Sequence, residues 1–181
     1  RVAREVGYSF SGANAWNTAP TVIYQTITEQ LQHCQQDGVS MMFCDLAGFG
    51  KTWTCRQFAK NGTNVFYLDC SRTPNKLAFI RSLATAIGVD ATKGNSSQIL
   101  AEAIYYLKAI PAPLVIIDEA GDADSSTYLL IKRIWNELEG VCGLYMIGAR
   151  GLKRRIEQGI ALRKNGFEEL YSPRAPIMYR P

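Results

Sequence analysis

A short glycine-rich segment carries the residue types that bind phosphate. Its sequence is DLAGFGKT, residues 45–52, and it lies between an apolar run and a helix-forming run. The two glycines allow backbone N–H groups to turn towards an anion with no Cβ in the way, and the following helix adds the positive end of its dipole. Lys51 would then neutralise the β- and γ-phosphates of a nucleotide, and the Thr52 hydroxyl would ligate Mg²⁺. The expected nucleotide contacts are Ala47, Gly48, Phe49, Gly50, Lys51, Thr52 and Trp53.

Two acids end another apolar run and complete the chemistry of such a site. Asp118 and Glu119 follow LVII and lie 66 residues after Thr52. Because the carboxyl ends of parallel strands share one edge of a sheet, Asp118 can face Thr52 across the loop and hold Mg²⁺ through its water shell. Glu119 would orient and polarise a water molecule against the γ-phosphate. Taken alone, the pair could be a solvated strand end; together, the two motifs predict a nucleotide site.

Alternating apolar runs and helical periodicities would position these motifs. Strands are predicted at 39–44, 65–68, 113–117, 141–147 and, shortest, 177–179. The helices are predicted after Pro20, over 51–60, from Thr73-Pro74, after a Ser96 or Ser97 cap, after a Ser125 or Ser126 cap, and over 152–158. This alternation favours an α/β fold with a parallel sheet of about five strands and helices on both faces.

Composition excludes several other classes of protein. The 181 residues are 47% hydrophobic and 20% charged, as in a single compact globular domain, and no apolar run is long enough to cross a membrane. The five cysteines form no CxxC pair and there is one histidine, His33. This argues against a disulfide framework, a zinc site and histidine-dependent catalysis, and it favours reduced thiols packed in the core of a cytoplasmic protein.

The net charge of +4 is unevenly distributed along the chain. Residues 150–181 contain eight bases and three acids, so the whole positive excess lies in this last segment. DNA contacts there would be made mainly to phosphates and would give salt-dependent affinity with little sequence preference. A solvated basic helix is the alternative interpretation. The candidate DNA-binding residues are Lys153, Arg154, Arg155, Arg163 and Lys164.

These motifs, in this order, resemble the AAA+ ATPases. The segments AGFGKT, NVFYLDC, LVIIDEA, GLYMIG and FEELYS resemble more narrowly the Mu B family of transposition ATPases and its transposon relatives. The resemblance implies a three-layer P-loop NTPase core over residues 20–181, and 1–19 as a tail that is similar to the end of a helix-turn-helix domain. It also implies ATP and Mg²⁺ as cofactors, a homo-oligomeric filament or ring on double-stranded DNA, and a transposase partner.

Two departures from the family pattern keep alternatives open. Ala149 stands where a polar sensor of the γ-phosphate is expected, and an alanine side chain cannot hydrogen-bond the attacking water. The family's Ser-Arg, whose arginine reaches a neighbouring subunit's nucleotide, is replaced by Ser172-Pro173-Arg174. We expect Lys51, Glu119 and Arg174 to be the catalytic residues, and we expect the chain to lack the helical lid of the family. The alternatives are another DNA-handling AAA+ ATPase, such as a helicase loader, and a nucleotide-switched assembly module with little hydrolysis.

Overall fold

A parallel sheet of five strands forms the centre of the molecule. The computed structural model describes residues 21–45, 48–163 and 177–179. The strand order is β2-β3-β4-β1-β5, and every pair of neighbours is parallel. This sheet confirms the prediction of about five strands, including the short last one. The strands are β1 Ser40–Cys44, β2 Val65–Asp69, β3 Leu114–Asp118, β4 Gly143–Gly148 and β5 Ile177–Tyr179.

Six helices in the described part of the chain cover the two faces of the sheet. They are α1 Val22–Asp37, α2 Lys51–Asn61, α3 Lys76–Ile87, α4 Ser96–Ala109, α5 Ser125–Leu138 and α6 Arg150–Ala161. One apolar cluster joins α1 and α2 to one face, and a second joins the other four helices to the opposite face. Short 3₁₀ turns, Cys70–Arg72 and Ala120–Asp122, follow β2 and β3. The result is the predicted three-layer α/β architecture.

Alternation along the central strands explains both layers. Ile116 packs in the cluster under α1 and α2, whereas its neighbour Ile117 packs in the cluster under the other helices. Both side chains of such a pair are buried, so the strands are continuous apolar runs rather than alternating ones. This is why β3 could be recognised in the sequence.

Three helix starts differ from the predicted caps. Asn95 caps α4 in a reciprocal capping box with Gln98, and Asp124 caps α5, so the serines proposed for both positions lie inside the first turn. Asn75 caps α3, which therefore begins after Thr73-Pro74 rather than at it. In α4 and α5 the capping Asn or Asp precedes the predicted serines, whereas in α3 Asn75 follows the predicted start. In each helix the side-chain oxygen of the cap accepts hydrogen bonds from the free N–H groups of the first turn.

A close backbone contact brings α1 against β4. An added Cβ on Gly143 would lie 2.3 Å from the backbone oxygen of Cys34, so only glycine fits between this helix and this strand.

All five cysteines are free thiols, as predicted, and four of them are buried. Burial raises the pKa of the Cys142 thiol to about 12, which keeps it protonated in the core.

Several sequence predictions concern residues outside the described part of the chain. These are the tail over 1–19, the FEELYS segment, and the residues Ala47, Lys164 and Arg174. None of the helices in the described part has the length and hydropathy needed to span a bilayer.

Candidate functional site

The loop between β1 and α2 has the backbone conformation that its glycines permit. Gly48 and Gly50 have φ angles of 92° and 81°, a left-handed region that favours glycine. Gly50 is also the N-cap of α2, so the free N–H groups of the first helical turn point into the loop. Both glycines have open space around them, so what they supply is the backbone conformation rather than room for a neighbour.

Asp45 stands at the position where the phosphate-loop pattern G-x-x-x-x-G-K-[ST] has its first glycine. Its N–H donates to the Gly148 oxygen at 3.4 Å, which extends the pairing of β1 with β4 by one residue. Asp45 has no positive φ, so its position makes no demand that only glycine could meet. The substitution is therefore compatible with a phosphate-binding loop.

Lys51, the first residue of α2, extends its side chain across the loop to the end of β1. Its side chain is only 8% exposed, and Nζ donates to the backbone oxygen of Asp45 at 3.3 Å. The ammonium group thus crosses from the start of α2 to the end of β1. This geometry suits an ammonium group that donates hydrogen bonds to phosphate oxygens inside the loop.

A cavity of about 370 Å³ unites the two motifs. This volume lies within the range of small-molecule sites. Phe49, predicted to contact nucleotide, is half-exposed and is not among the lining residues. The other residues assigned from the glycine-rich segment and described in the structure do line it, and Glu119 joins them from the end of β3. The lining consists of Gly48, Gly50, Lys51, Thr52, Trp53, Arg56, Glu119 and Ala149.

Asp118 lies at the end of β3 with its carboxylate fixed on both sides. It is 2% exposed. Oδ1 accepts from the Glu119 N–H at 2.8 Å, and Oδ2 accepts from the Tyr67 hydroxyl at 2.5 Å. Hydrogen bonds of this kind satisfy the oxygens of a buried carboxyl group and fix its orientation.

The neighbouring carboxylate, Asp69, has different partners. Asp69 is in register with Asp118 at the ends of β2 and β3. Its Oδ2 lies 3.4 Å from Arg56 Nη2 and 3.5 Å from Arg72 Nε, and its Oδ1 accepts from Ser71. Two arginines thus compensate Asp69, whereas no ion pair of Asp118 occurs among the described residues. Of the two strand-end carboxylates, Asp69 is therefore the one already paired with cationic side chains.

The donor atoms fit Mg²⁺. Thr52 could supply a hydroxyl oxygen and Asp118 a carboxylate oxygen, both hard ligands. Within residues 21–45, 48–163 and 177–179, no three His, Cys, Asp or Glu side chains cluster to form an all-protein metal site. A site with few protein ligands suits an ion that keeps several waters and binds substrate phosphates.

Glu119 combines a cavity position with a strained backbone. Its φ and ψ are 48° and 39°, the left-handed region, which is uncommon for a residue with a side chain. Burial raises the pKa of its carboxyl group, and the charges of Asp118 and Asp122 raise it further. These features are typical of a residue held in place for proton transfer or water orientation.

Comparisons with known proteins agree with this geometry. A family model described as AAA domain matches residues 35–156, which include both motifs and most of the sheet. The chain belongs to the AAA domain family. Comparison with curated proteins gave no match.

Solved structures share the fold of this AAA domain. The Walker-type ATPase PABY2304 of Pyrococcus abyssi is 13% identical with a TM-score of 0.54, covering 87% of this chain and 50% of that one. The Aeropyrum pernix ORC1 protein in complex with DNA is 13% identical with a TM-score of 0.54, covering 85% and 45%. Drosophila ORC bound to AT-rich DNA and Cdc6 is 7% identical with a TM-score of 0.55, covering 88% and 28%. The AAA domain described here thus spans half or less of these chains, and the likeness shows the α/β P-loop NTPase fold.

Two residues of this AAA domain site were missed in the sequence. Arg56 lines the cavity, and Tyr67 holds Asp118. Arg56 is four residues after Thr52 on a helix, so helical spacing places both on one face and could have identified it. Tyr67 belongs to the apolar run VFYL, where its ring resembles core packing and nothing in the run indicates its hydroxyl contact.

The basic residues of α6 differ in the intramolecular contacts that their side chains make. Arg155 donates from Nη1 to the Gly121 oxygen at 3.2 Å, and its guanidinium lies 5.6 Å from the ring centroid of Tyr128. Lys153 Nζ lies 3.8 Å from Glu157. Arg154 is exposed and lines a second cavity of about 340 Å³ together with Arg155. Arg154 is therefore more accessible to an anionic partner than Lys153 or Arg155.

Arg163 is exposed just beyond the end of α6, with a left-handed φ of 48°.

Ala149, the N-cap of α6, lines the nucleotide cavity and makes no side-chain capping hydrogen bond. The predicted departure at the end of β4 therefore lies beside the site itself.

Proposed function

We propose that the protein is an Mg²⁺-dependent ATPase that binds double-stranded DNA as an ATP-dependent homo-oligomer and acts in DNA transposition. It captures target DNA and recruits or activates a transposase. The observation that carries the nucleotide part is the cavity that Lys51 and Thr52 share with Glu119.

Each side chain has a role in this proposal. Lys51 binds the β- and γ-phosphates, and Thr52 with Asp118 holds the ion that screens their charge. Glu119 orients the attacking water and accepts its proton, and Arg174 completes a neighbouring subunit's site. Hydrolysis would be slow and stimulated by DNA or a partner.

DNA binding is supported by charge. Lys153, Arg154, Arg163 and Lys164 lie in the segment that carries the whole positive excess of the chain. They offer phosphate contacts on α6 and just after it, with little means of reading bases. Such contacts suit a protein that selects targets with little sequence preference. The transposition role rests on the sequence resemblance to the Mu B family.

DNA affinity should be measured with ATP, with ADP and with no nucleotide, for the native protein and for Lys51→Ala. We expect tight binding only for the native protein with ATP, because oligomer formation multiplies weak phosphate contacts. Equal affinity in all conditions would contradict the proposal. Capture of the cognate transposase rather than a replicative helicase would distinguish transposition from helicase loading.

A second candidate is a nucleotide-switched assembly module with little hydrolysis. Ala149 favours it, because this residue lines the cavity with no side-chain group that could hydrogen-bond the attacking water. This candidate requires that Glu119→Gln leave turnover at background, as in the native protein. Glu119-dependent turnover with DNA present would exclude it.

A further inference from the structure

Arg56, Tyr67 and Asp118 form a hydrogen-bonded series that runs from the nucleotide cavity to the buried carboxylate. Arg56 Nε donates to the Tyr67 hydroxyl oxygen at 3.2 Å, and that hydroxyl donates its proton to Asp118 Oδ2 at 2.5 Å. The three residues come from α2, β2 and β3, so the series joins three separate elements.

The Tyr67 hydroxyl is directed by these two contacts. A phenol has one proton to donate, and Arg56 can only donate, so the proton of Tyr67 is directed to Asp118. The Arg56 guanidinium also lies 5.3 Å from the Tyr67 ring centroid, which holds the ring from its face. Arg56 is anchored in turn by Asp69.

The arrangement limits how Asp118 can rotate. The Glu119 N–H fixes Oδ1 and the Tyr67 hydroxyl fixes Oδ2, and each oxygen keeps further lone-pair capacity for a ligand. Partners of this kind, which contact a metal ligand rather than the metal, orient the ligand and set its affinity.

We propose that Tyr67, held by Arg56, is a positioning residue that orients the Asp118 carboxylate for the nucleotide-bound divalent cation. This inference rests on the proposed function, because it assumes that the cavity binds ATP with Mg²⁺. Arg56 lines the same cavity, so the cavity wall and the carboxylate are linked through one tyrosine hydroxyl.

The test is the Mg²⁺ dependence of ATP binding. A fluorescent ATP analogue is titrated into the full chain in EDTA and at a series of Mg²⁺ concentrations, for the native protein and for Tyr67→Phe. Tyr67→Phe keeps the ring and removes only the hydroxyl. Tyr105→Phe makes the same change at an exposed position on α4, outside the site, and serves as control.

We expect Tyr67→Phe to bind as tightly as the native protein in EDTA and to need about tenfold more Mg²⁺ for the tight state. Electron paramagnetic resonance of Mn²⁺ in the ATP complex should show the same loss of metal affinity. Arg56→Leu, which removes the donor to Tyr67, should shift the Mg²⁺ dependence in the same direction by a smaller factor.

Unchanged Mg²⁺ dependence in Tyr67→Phe, with ATP bound normally by the native protein, would overturn this inference alone. Equal weakening with and without Mg²⁺ would also overturn it, since that result assigns Tyr67 to packing. Failure of the native protein to bind ATP at all would overturn the proposed function, and this inference with it.

Discussion

At the scale of single residues, Glu119 is the side chain on which the proposed hydrolysis depends. It lines the cavity next to the loop, and its carboxylate faces two nearby acids, Asp118 and Asp122, that raise its pKa. The backbone at Glu119 is left-handed. The position is therefore unfavourable for stability in charge and in conformation, which is common where a fold holds a reactive group.

The raised pKa of Glu119 predicts how turnover depends on pH on the acidic side. The carboxylate is the form that accepts a proton from water, so turnover should fall as pH drops through a pKa above the ordinary 4.5 of glutamate. Steady-state turnover from pH 5 to 8, with ATP affinity measured at each pH, separates this loss from a loss of binding. Glu119→Gln should bind ATP normally and lose at least about 100-fold in turnover. Turnover equal to that of the native protein would contradict the assignment.

The strain at Glu119 predicts a stability difference between two inactive variants. Glu119→Gly and Glu119→Ala both remove the carboxylate, but only glycine adopts the left-handed backbone without steric cost. The glycine variant should be more stable by about 1 kcal/mol in urea unfolding. Equal stability of the two variants would show that the backbone at this position stores no strain.

At the scale of elements, the succession of strands and helices along the chain was predictable, whereas the polar contacts between elements were not. LVIID was recognisable because burial on both faces makes a strand uniformly apolar. The caps of these two helices were misplaced by one or two residues because Asn95 and Asp124 precede serines that are also good caps. Tyr67 was missed because its hydroxyl partner comes from another strand, 51 residues away. Long-range partners of that kind follow from strand order, which local periodicity does not encode.

The contact of α1 with β4 predicts a strong effect of one methyl group. Gly143→Ala should destabilise the protein by about 2–3 kcal/mol, since its Cβ would meet the Cys34 backbone and the helix would have to shift. Gly151→Ala is the matched control on α6, because an added Cβ there meets nothing within 4 Å and improves helix propensity. Thermal or urea unfolding of both variants checks this. Similar small effects would contradict the described packing.

At the scale of the whole molecule, the proposed DNA contacts lie in the segment that carries the positive charge of the chain. The positive excess of the chain lies in residues 150–181, and within α6 the contacts divide the arginines by role. Arg155 is bound to the turn after β3 and to Tyr128, whereas Arg154 is exposed. The basic residues of α6, which are alike in the sequence, therefore differ in the structure. Arg155 makes intramolecular contacts, and Arg154 is a candidate phosphate contact.

This division predicts different outcomes for two neighbouring substitutions. Arg154→Ala should keep the native melting temperature, weaken DNA binding and reduce the slope of log affinity against log salt by about 1. Arg155→Ala should lower the melting temperature. Arg81→Ala, on an exposed site of α3, makes the same charge change as a control. An equal loss of DNA affinity in Arg81→Ala and Arg154→Ala would attribute binding to net charge rather than to α6.

The central claim is that the cavity at the end of the sheet binds the phosphates of ATP, and calorimetric titration of ATP with Mg²⁺ tests it most directly. Lys51→Ala removes the cation from the loop, and Lys60→Ala removes an exposed lysine from the other end of the same helix. The account predicts that the native protein and Lys60→Ala bind ATP alike and that Lys51→Ala binds at least about 100-fold more weakly, as expected for loss of a buried charge-assisted contact. Equal ATP affinity of all three proteins, or no binding by the native protein, would contradict it.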